Sequence, residues 1–439
     1  MEQYSNFDKE MDAKDHFKNR ASLKSLSTKN FLRNVCVVLL AIFGSYNNNI
    51  TAQIIIKNDT IKPYINFLEN NKFLSAKDYI LSKFETYDIV ILSERHHADM
   101  TQYEVILDVV KDERFKGNIF TEVGVSNMSE RINKFLLNST LTKEEKESEL
   151  LSIYRDIDFN IIWRPYNYYH LLSEIFEINK TRKEEDKIKI FPTDVAFDWN
   201  EYKTSGEYAV FYKLLDSQRW MDRDRIMGKN FVRLYERAKR ENSEREKALV
   251  IQNTYHGYIR IPTYLPLPTK PDIYSTGEYI YKTYPDKTTN IYINFLRSGD
   301  EFKNLSNNGI IDAAFEYTQI DNIGFDLKNT PIGNTKFDLY RFGGDYETNV
   351  NFAYIFDGMI FYKPLKELVL KYYIPDIYPK EFEEQFFYRV AIVRNQTEEE
   401  AKNNEENISL LKVINNPVET SLDKKRLDWI SEQIRKWVE

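Results

Sequence analysis

The sequence predicts an α/β protein with a mainly parallel central sheet flanked by helices, long helical insertions and a C-terminal helical region. Three observations carry that prediction. Short runs rich in Ile, Val, Phe and Tyr recur along the chain and are too uniformly apolar for strands with one wet face. Charged stretches with helical spacing separate them, as strand–helix–strand crossovers require. Histidines gather just after two of the apolar runs, where open α/β sheets place their ligand sites.

The best strand segments are residues 89–92, 119–123, 188–191, 248–251, 291–295 and 355–362. After the first, Met100, Tyr103, Leu107 and Val110 form an apolar stripe at helical spacing, with Asp99 as N-cap and Gln102 as its capping-box partner. His96 and His97 therefore sit in a short strand-to-helix loop. Residues 126–186 are too long for a simple crossover, and their KEEKESE run reads as the solvated face of a helix. A second helical insertion covers 205–247. Pro262, Pro266, Pro268 and Pro271 then mark an extended loop placed as a flap over the strand ends. Residues 397–407, acidic and rich in Asn, read as a surface loop within the C-terminal helical region. No internal repeat is visible. The expected divisions are a leader or anchor (1–52), an N-terminal extension (53–86), the α/β domain (87–362) and the C-terminal helical region (363–439).

The leader combines Lys29 and Arg33 with an uncharged apolar run at 35–43, too short to span a bilayer and suited to a secretory signal cleaved after Ala52. Its long basic region and the large Ile50 leave an uncleaved membrane anchor as the alternative. Export makes the protein periplasmic or secreted. Membrane contact is expected only through an uncleaved leader. The single cysteine, Cys36, lies inside the apolar run, so the mature chain has no disulfide, thiolate metal site or cysteine nucleophile. The whole chain carries a net charge of -7 with no basic stripe, which argues against a nucleic-acid partner. The 31 Tyr and 28 Phe read as a compositional bias rather than a sugar-stacking surface.

Five histidines are present, His16 in the leader and His96, His97, His170 and His256 beyond it. Glu94 and His97 are three residues apart across a strand-to-helix turn, so both can point into the crevice above the sheet. A neutral imidazole there can take a proton from water while a carboxylate orients it. A purely structural reading, with Glu94 capping backbone amides, is equally open. Glu122 interrupts the apolar run IFTEVG, where an unpaired carboxylate is costly and needs a partner. That partner is Arg164 or another arginine in a structural reading, or His97 and His256 in a functional one. Asp194 ends another strand and serves either as an N-cap or at the site. Arg223, in the charged helix RDRIMGKN, is a surface ion pair or, if it faces the crevice, a holder of an anionic or carbonyl oxygen. His170, in NYYHLLSEIF, reads as a packed or surface histidine.

LSERHH with its amphipathic helix, TEVG, PTDVAFDW, RDRIMGKN and NTYHG, in this order from Tyr87 to Tyr362, resemble the erythromycin esterase and ChaN-like superfamily, with Tiki-type proteins as more distant relatives. The resemblance implies a Gly-Glu-x-x-His element, a glutamate on the second strand and a later histidine lining one site. These are Glu94, His97, Glu122 and His256. The chain departs from the pattern at Ser93, which stands where the family has Gly, and in the absence of any Arg from 98 to 113, where the esterases carry one. The activity that the resemblance implies is that of an exported hydrolase of a small-molecule ester, lactone or amide, with His97 as base, Glu94 orienting it, and Glu122 and His256 positioning water or stabilising the oxyanion. His96, Asp194, Arg164 and Arg223 complete the substrate pocket. Two alternatives stand beside it. One is a haem- or iron-binding protein of the ChaN-like type, and the other a hydrolase with a divalent metal held by His97, His256, Glu94 and Glu122, with His96 as an extra ligand. A noncatalytic member of the fold is a further possibility, and the sequence does not decide whether any cofactor is used.

Overall fold

The computed structural model describes residues 58–438, except 162–164, 214–219, 263–272, 295–304, 338, 342–343, 347–349 and 423. The leader with His16 and Cys36, Arg164, and Pro266, Pro268 and Pro271 of the expected flap lie outside the described residues.

The apolar runs form strands because both their faces are covered. β1 (Leu74–Ser75), β2 (Ile89–Glu94), β3 (Gly117–Val125), β4 (Ile190–Asp194), β5 (Lys247–Asn253), β6 (Thr288–Ile293), β7 (Ile323–Asp326) and β10 (Gly358–Phe361) make one sheet, in the order β1-β7-β10-β6-β2-β5-β3-β4. From β10 through β4 the neighbours run parallel, and only β7 and β1 at one edge are antiparallel. Every residue of β2, β3 and β4 is buried. Alternation of side chains divides the strands between two apolar layers. Val90, Leu92, Leu249 and Ile251 face one way, toward helices α1 (Ala76–Thr86), α2 (Met100–Lys111) and α3 (Tyr166–Lys180). Ile89, Ile91, Phe120 and Val250 face the other, against Phe231, Leu234 and Tyr235 of α4 (Trp220–Glu241). On that side lie also α5 (Thr276–Thr283), whose Ile280 joins the layer, and further along the sheet α6 (Ile310–Thr318) and the final helix α7 (Lys424–Val438).

The expected fold class holds, with local differences. The segment 355–362 splits, because Asn351 caps a short helix at Phe352–Ile355 before β10 begins. The 397–407 stretch is two helices, Glu398–Asn403 and Glu405–Ile414, rather than a loop, since Thr397 and Glu400 close a capping box and Asn404 caps the second helix. Further strands lie outside the main sheet, two of them in the C-terminal region. A small hairpin of β8 (Leu339–Arg341) and β9 (Gly344–Tyr346) precedes β10, and β11 (Val369–Tyr372) pairs with β12 (Val418–Ser421).

The β2–α2 loop is the part of the fold that positions chemistry. Asp99 caps α2 by accepting from the Thr101 amide at 2.8 Å, as expected. Gln102 does not close a capping box. Its carboxamide accepts from the Arg95 amide at 2.7 Å and donates to the His96 carbonyl at 2.7 Å, clamping the loop from inside. Arg95, 2% exposed, pairs with the fully buried Asp99 at 2.7 Å and reaches the Tyr362 carbonyl at 3.2 Å. Removing one partner leaves the other charge buried. Asp99→Ala is therefore expected to lower stability by about 3–5 kcal/mol, read from a denaturant midpoint. A loss below about 1 kcal/mol, the value of an exposed pair, would show that the loop does not depend on this contact.

Candidate active site

Because β2, β5, β3 and β4 are adjacent and parallel, their C-terminal ends share one edge, and each end delivers a polar side chain to it. Glu94 ends β2, and Asp194 ends β4. Glu122 lies where the register between β3 and β4 breaks, between Thr121 and Val125, a bulge that re-aims the side chain and is relieved by Gly124 at φ 98°. His256 follows β5 in a tight turn, its own amide and that of Gly257 both donating to the Asn253 carbonyl. The turn packs closely on β2, since a Cβ at Gly257 would lie 2.4 Å from Ser93 Oγ and force that side chain to move.

These residues form an alternating chain of carboxylates and imidazoles. Glu94 Oε2 lies 2.7 Å from His97 Nδ1, and His97 Nε2 lies 3.8 Å from Glu122 Oε1. The same Glu122 oxygen is 3.2 Å from His256 Nε2, and His256 Nδ1 is 2.8 Å from Asp224 Oδ1. One buried glutamate thus stands between two histidines, each backed by a further carboxylate. The outer carboxylates are themselves fixed. Glu94 Oε1 accepts from the Tyr103 hydroxyl at 3.0 Å and from Gln102 at 3.3 Å. Asp224 accepts from the amide and hydroxyl of Thr276, at 2.7 and 2.9 Å, at the start of α5. The second Glu122 oxygen accepts from the Asn253 amide at 2.8 Å.

The charges are set by this order. Burial works against a proton on His256, but Asp224 and Glu122 outweigh it and hold its pKa up at about 9. Burial likewise opposes charge on His97, and Glu94 with Glu122 raises its pKa above the ordinary histidine value. Burial would push Glu122 up, yet His256, His97 and Arg223 together hold it well below the usual carboxylate range. The histidines differ in access, since the His97 side chain is 25% exposed and that of His256 is 11%.

The other residues singled out in the sequence fall around this chain. Arg223 donates to both oxygens of Asp194, at 2.9 and 2.7 Å, and approaches Glu122 at 3.5 Å, so its guanidinium braces the carboxylates. Asp194 is thereby the anchor of Arg223 at the strand end. His96 accepts from the Ala98 amide through Nδ1 at 3.0 Å, and burial lowers its pKa to about 4, which keeps it neutral. His170 stands apart, its ring stacked near Tyr166 at 6.3 Å. Sequence reasoning does not reach Asp224, Tyr103 or Gln102 as site residues. Asp224 has one available signal, its place beside Arg223 in RDRIMGKN, but in sequence it is indistinguishable from a solvated helix charge.

Whether the site takes a metal ion is tested by its donor set. Among the described residues no group of three His, Cys, Asp or Glu side chains is arranged to hold a metal ion.

No protein-family model matches the chain, and no curated protein is similar to it in sequence. Solved structures that resemble it include a Bacillus cereus protein, at 12% identity over 68% of this chain and 96% of that one, with a TM-score of 0.40. They include the erythromycin esterase EreC in its open conformation, at 11% identity over 70% and 96%, with a TM-score of 0.39. A third is ChaN of Campylobacter jejuni with cofacially bound heme, at 14% identity over 53% and 91%, with a TM-score of 0.33.

The Glu122 charge is the hinge of the electrostatics, and Glu122→Gln keeps its shape. The variant is expected to drop the His256 pKa from about 9 toward the ordinary value, read by NMR of the ring protons. A His whose folded pKa is raised stabilises fully below about 6.5 and loses that contribution as pH rises through about 9. Wild-type protein should therefore weaken by on the order of 2 kcal/mol between these limits, and Glu122→Gln by clearly less. An unchanged His256 titration in the variant would break this account.

Proposed function

We propose that the chain is an exported hydrolase that cleaves an ester, lactone or amide of a small molecule, using water activated at the Glu94–His97–Glu122–His256–Asp224 chain. The observation that carries this reading is the division between two imidazoles around one buried carboxylate. His97 is the more exposed, and its Nε2 stands 3.8 Å from Glu122, beyond hydrogen-bond distance. Of the two histidines it is the one water reaches. His256 is tightly held on both sides and cationic at neutral pH.

In the proposed reaction, neutral His97 takes a proton from water as the oxygen attacks the carbonyl carbon. Glu94, held by Tyr103, Gln102 and Asn167, fixes the ring and stabilises the imidazolium that forms. The charge developing on the carbonyl oxygen is offset through space by the His256 cation, whose two N–H groups stay with Glu122 and Asp224. The His97 proton then passes to the leaving oxygen or nitrogen, which restores the base. Glu122 keeps the two rings in register and, with Arg223 against it, stays a carboxylate throughout. Export rests on the basic and then apolar leader.

The mechanism fixes a pH profile. His97 must lose its proton to act as base, so kcat/KM rises with pH through a value above the ordinary 6.5. His256 must keep its proton, so the rate falls again through about 9. A panel of carboxylic esters, lactones and amides, screened with residues 53–439, is expected to yield a substrate with this bell-shaped profile. His97→Ala should cost about 10²–10⁴-fold in kcat. Equal turnover of the whole panel by wild type and by His97→Ala, at every pH tested, would rule the reading out.

A further inference from the structure

Away from the histidines, the buried group least accounted for is Asp312, in the first turn of α6. It is 7% exposed, and its Oδ1 has no hydrogen-bond partner among the described residues. It lines a cavity of about 10 Å³, room for roughly one water molecule. The other walls are Phe361, Pro364 and Leu365, the charged pair Glu316 and Lys366, and Ile430 and Ile434 of the final helix α7. A carboxyl group is thus covered by the aliphatic face of the C-terminal helix.

The charges around it do not offset that burial. From its own helix comes Glu316, of like sign, and from the turn at Leu365–Glu367 comes Lys366, which is bound to Glu316 at 3.1 Å. From the loop after β2 comes Arg95, whose charge favours the carboxylate but which is engaged by Asp99 and the Tyr362 carbonyl. Helix α7 contributes only Ile430 and Ile434 to the cavity wall. An ionised carboxylate with an unpartnered oxygen is costly in such a place, whereas the neutral acid fits.

We propose that Asp312 is a proton-dependent latch under the C-terminal helix, its carboxyl neutral while α7 is docked and ionised once α7 lifts and admits water. Burial, opposed in part by a backbone hydrogen bond to the carboxyl and reinforced by Glu316, moves the Asp312 pKa up to about 7 in the docked state, against about 3.9 for a solvated aspartate. The sign is the reverse of the usual carboxylate case. The docked state binds more protons between these values, so docking is strongest at low pH, weakens as pH rises from about 4, and levels off above about 7. The same helix places the charge of Arg426 within reach of His96, so its docking bears on the loop that carries His97. The latch does not depend on the activity assigned to that loop.

Hydrogen exchange of the α7 amides tests it, in wild type, Asp312→Asn and Asp312→Leu, corrected for intrinsic exchange chemistry. From pH 5 to 7.5 wild-type protection of residues 424–438 is expected to fall at least tenfold. Both variants, which carry no ionisable group there, should stay level. Parallel pH dependence in wild type and variants would overturn the proposal. Should neither variant fold, wild type decides by itself. A tenfold fall confined to 424–438 supports the latch, and protection unchanged across this range, or lost evenly over the whole chain, overturns it.

Discussion

A carboxylate buried at the C-terminal edge of a parallel sheet is the constraint to which the rest of this molecule answers. Glu122 is 5% exposed and sits on the second strand in from the edge, where water cannot solvate it. Its charge is tolerable only because cations are brought to it from three directions. His97 arrives from the loop after β2, His256 from the turn after β5, and Arg223 from α4. Each of those cations is in turn buried or half-buried and needs an anion of its own, which Glu94, Asp224 and Asp194 supply. The result is an alternating lattice in which removal of one member exposes the next.

Such a lattice demands a particular strand order. Glu94 and Asp194 lie a hundred residues apart in sequence, and they share one edge of the sheet because β5 inserts between β2 and β3 while β4 follows β3 at the end. The order places the β5 turn beside both the β2 loop and the β3 bulge. The Thr254 amide and hydroxyl donate to the Glu94 carbonyl at 3.1 and 2.9 Å, so the β5 turn is hydrogen-bonded to the strand that carries the first carboxylate. Gly124, at φ 98°, is the backbone concession that this crowding requires. Beneath the loop, Arg95, Asp99 and Gln102 provide the rigidity, so that the position of His97 is set by buried contacts rather than by solvent.

The parts of this arrangement that are legible in the sequence are those in which a polar residue breaks an apolar pattern. Glu94, Glu122 and Asp194 are conspicuous because strands buried on both faces should contain no carboxylates, and His97 and His256 because they follow such strands directly. Asp224 is hidden, since on an amphipathic helix with five charges in eight residues a buried aspartate looks like any solvated one. Gln102 mimics a capping-box partner because its spacing from Asp99 is right for one, yet the Arg95 amide and the His96 carbonyl of the loop engage its carboxamide instead. The short strands β1 and β11 escape a sequence reading because their pairing is set by distant segments rather than by local alternation. The helices after Thr397 are obscured by composition. An acidic, Asn-rich stretch resembles a loop until its Asn and Thr are recognised as caps.

The two histidines show why near-symmetry around Glu122 produces unlike groups. Both face the same oxygen and both are backed by a carboxylate, so a pairwise view makes them equivalent. Their environments separate them. Asp224 is fully buried, and His256 is gripped at both nitrogens within 3.2 Å, which favours a permanent cation. His97 has a longer approach to Glu122 and more access to water, so its proton is the more exchangeable of the two. A site that must move one proton while holding another charge fixed needs this inequality between chemically identical side chains. The fold creates it through geometry, with one ring on a loop at the mouth and the other in a turn packed between two helices.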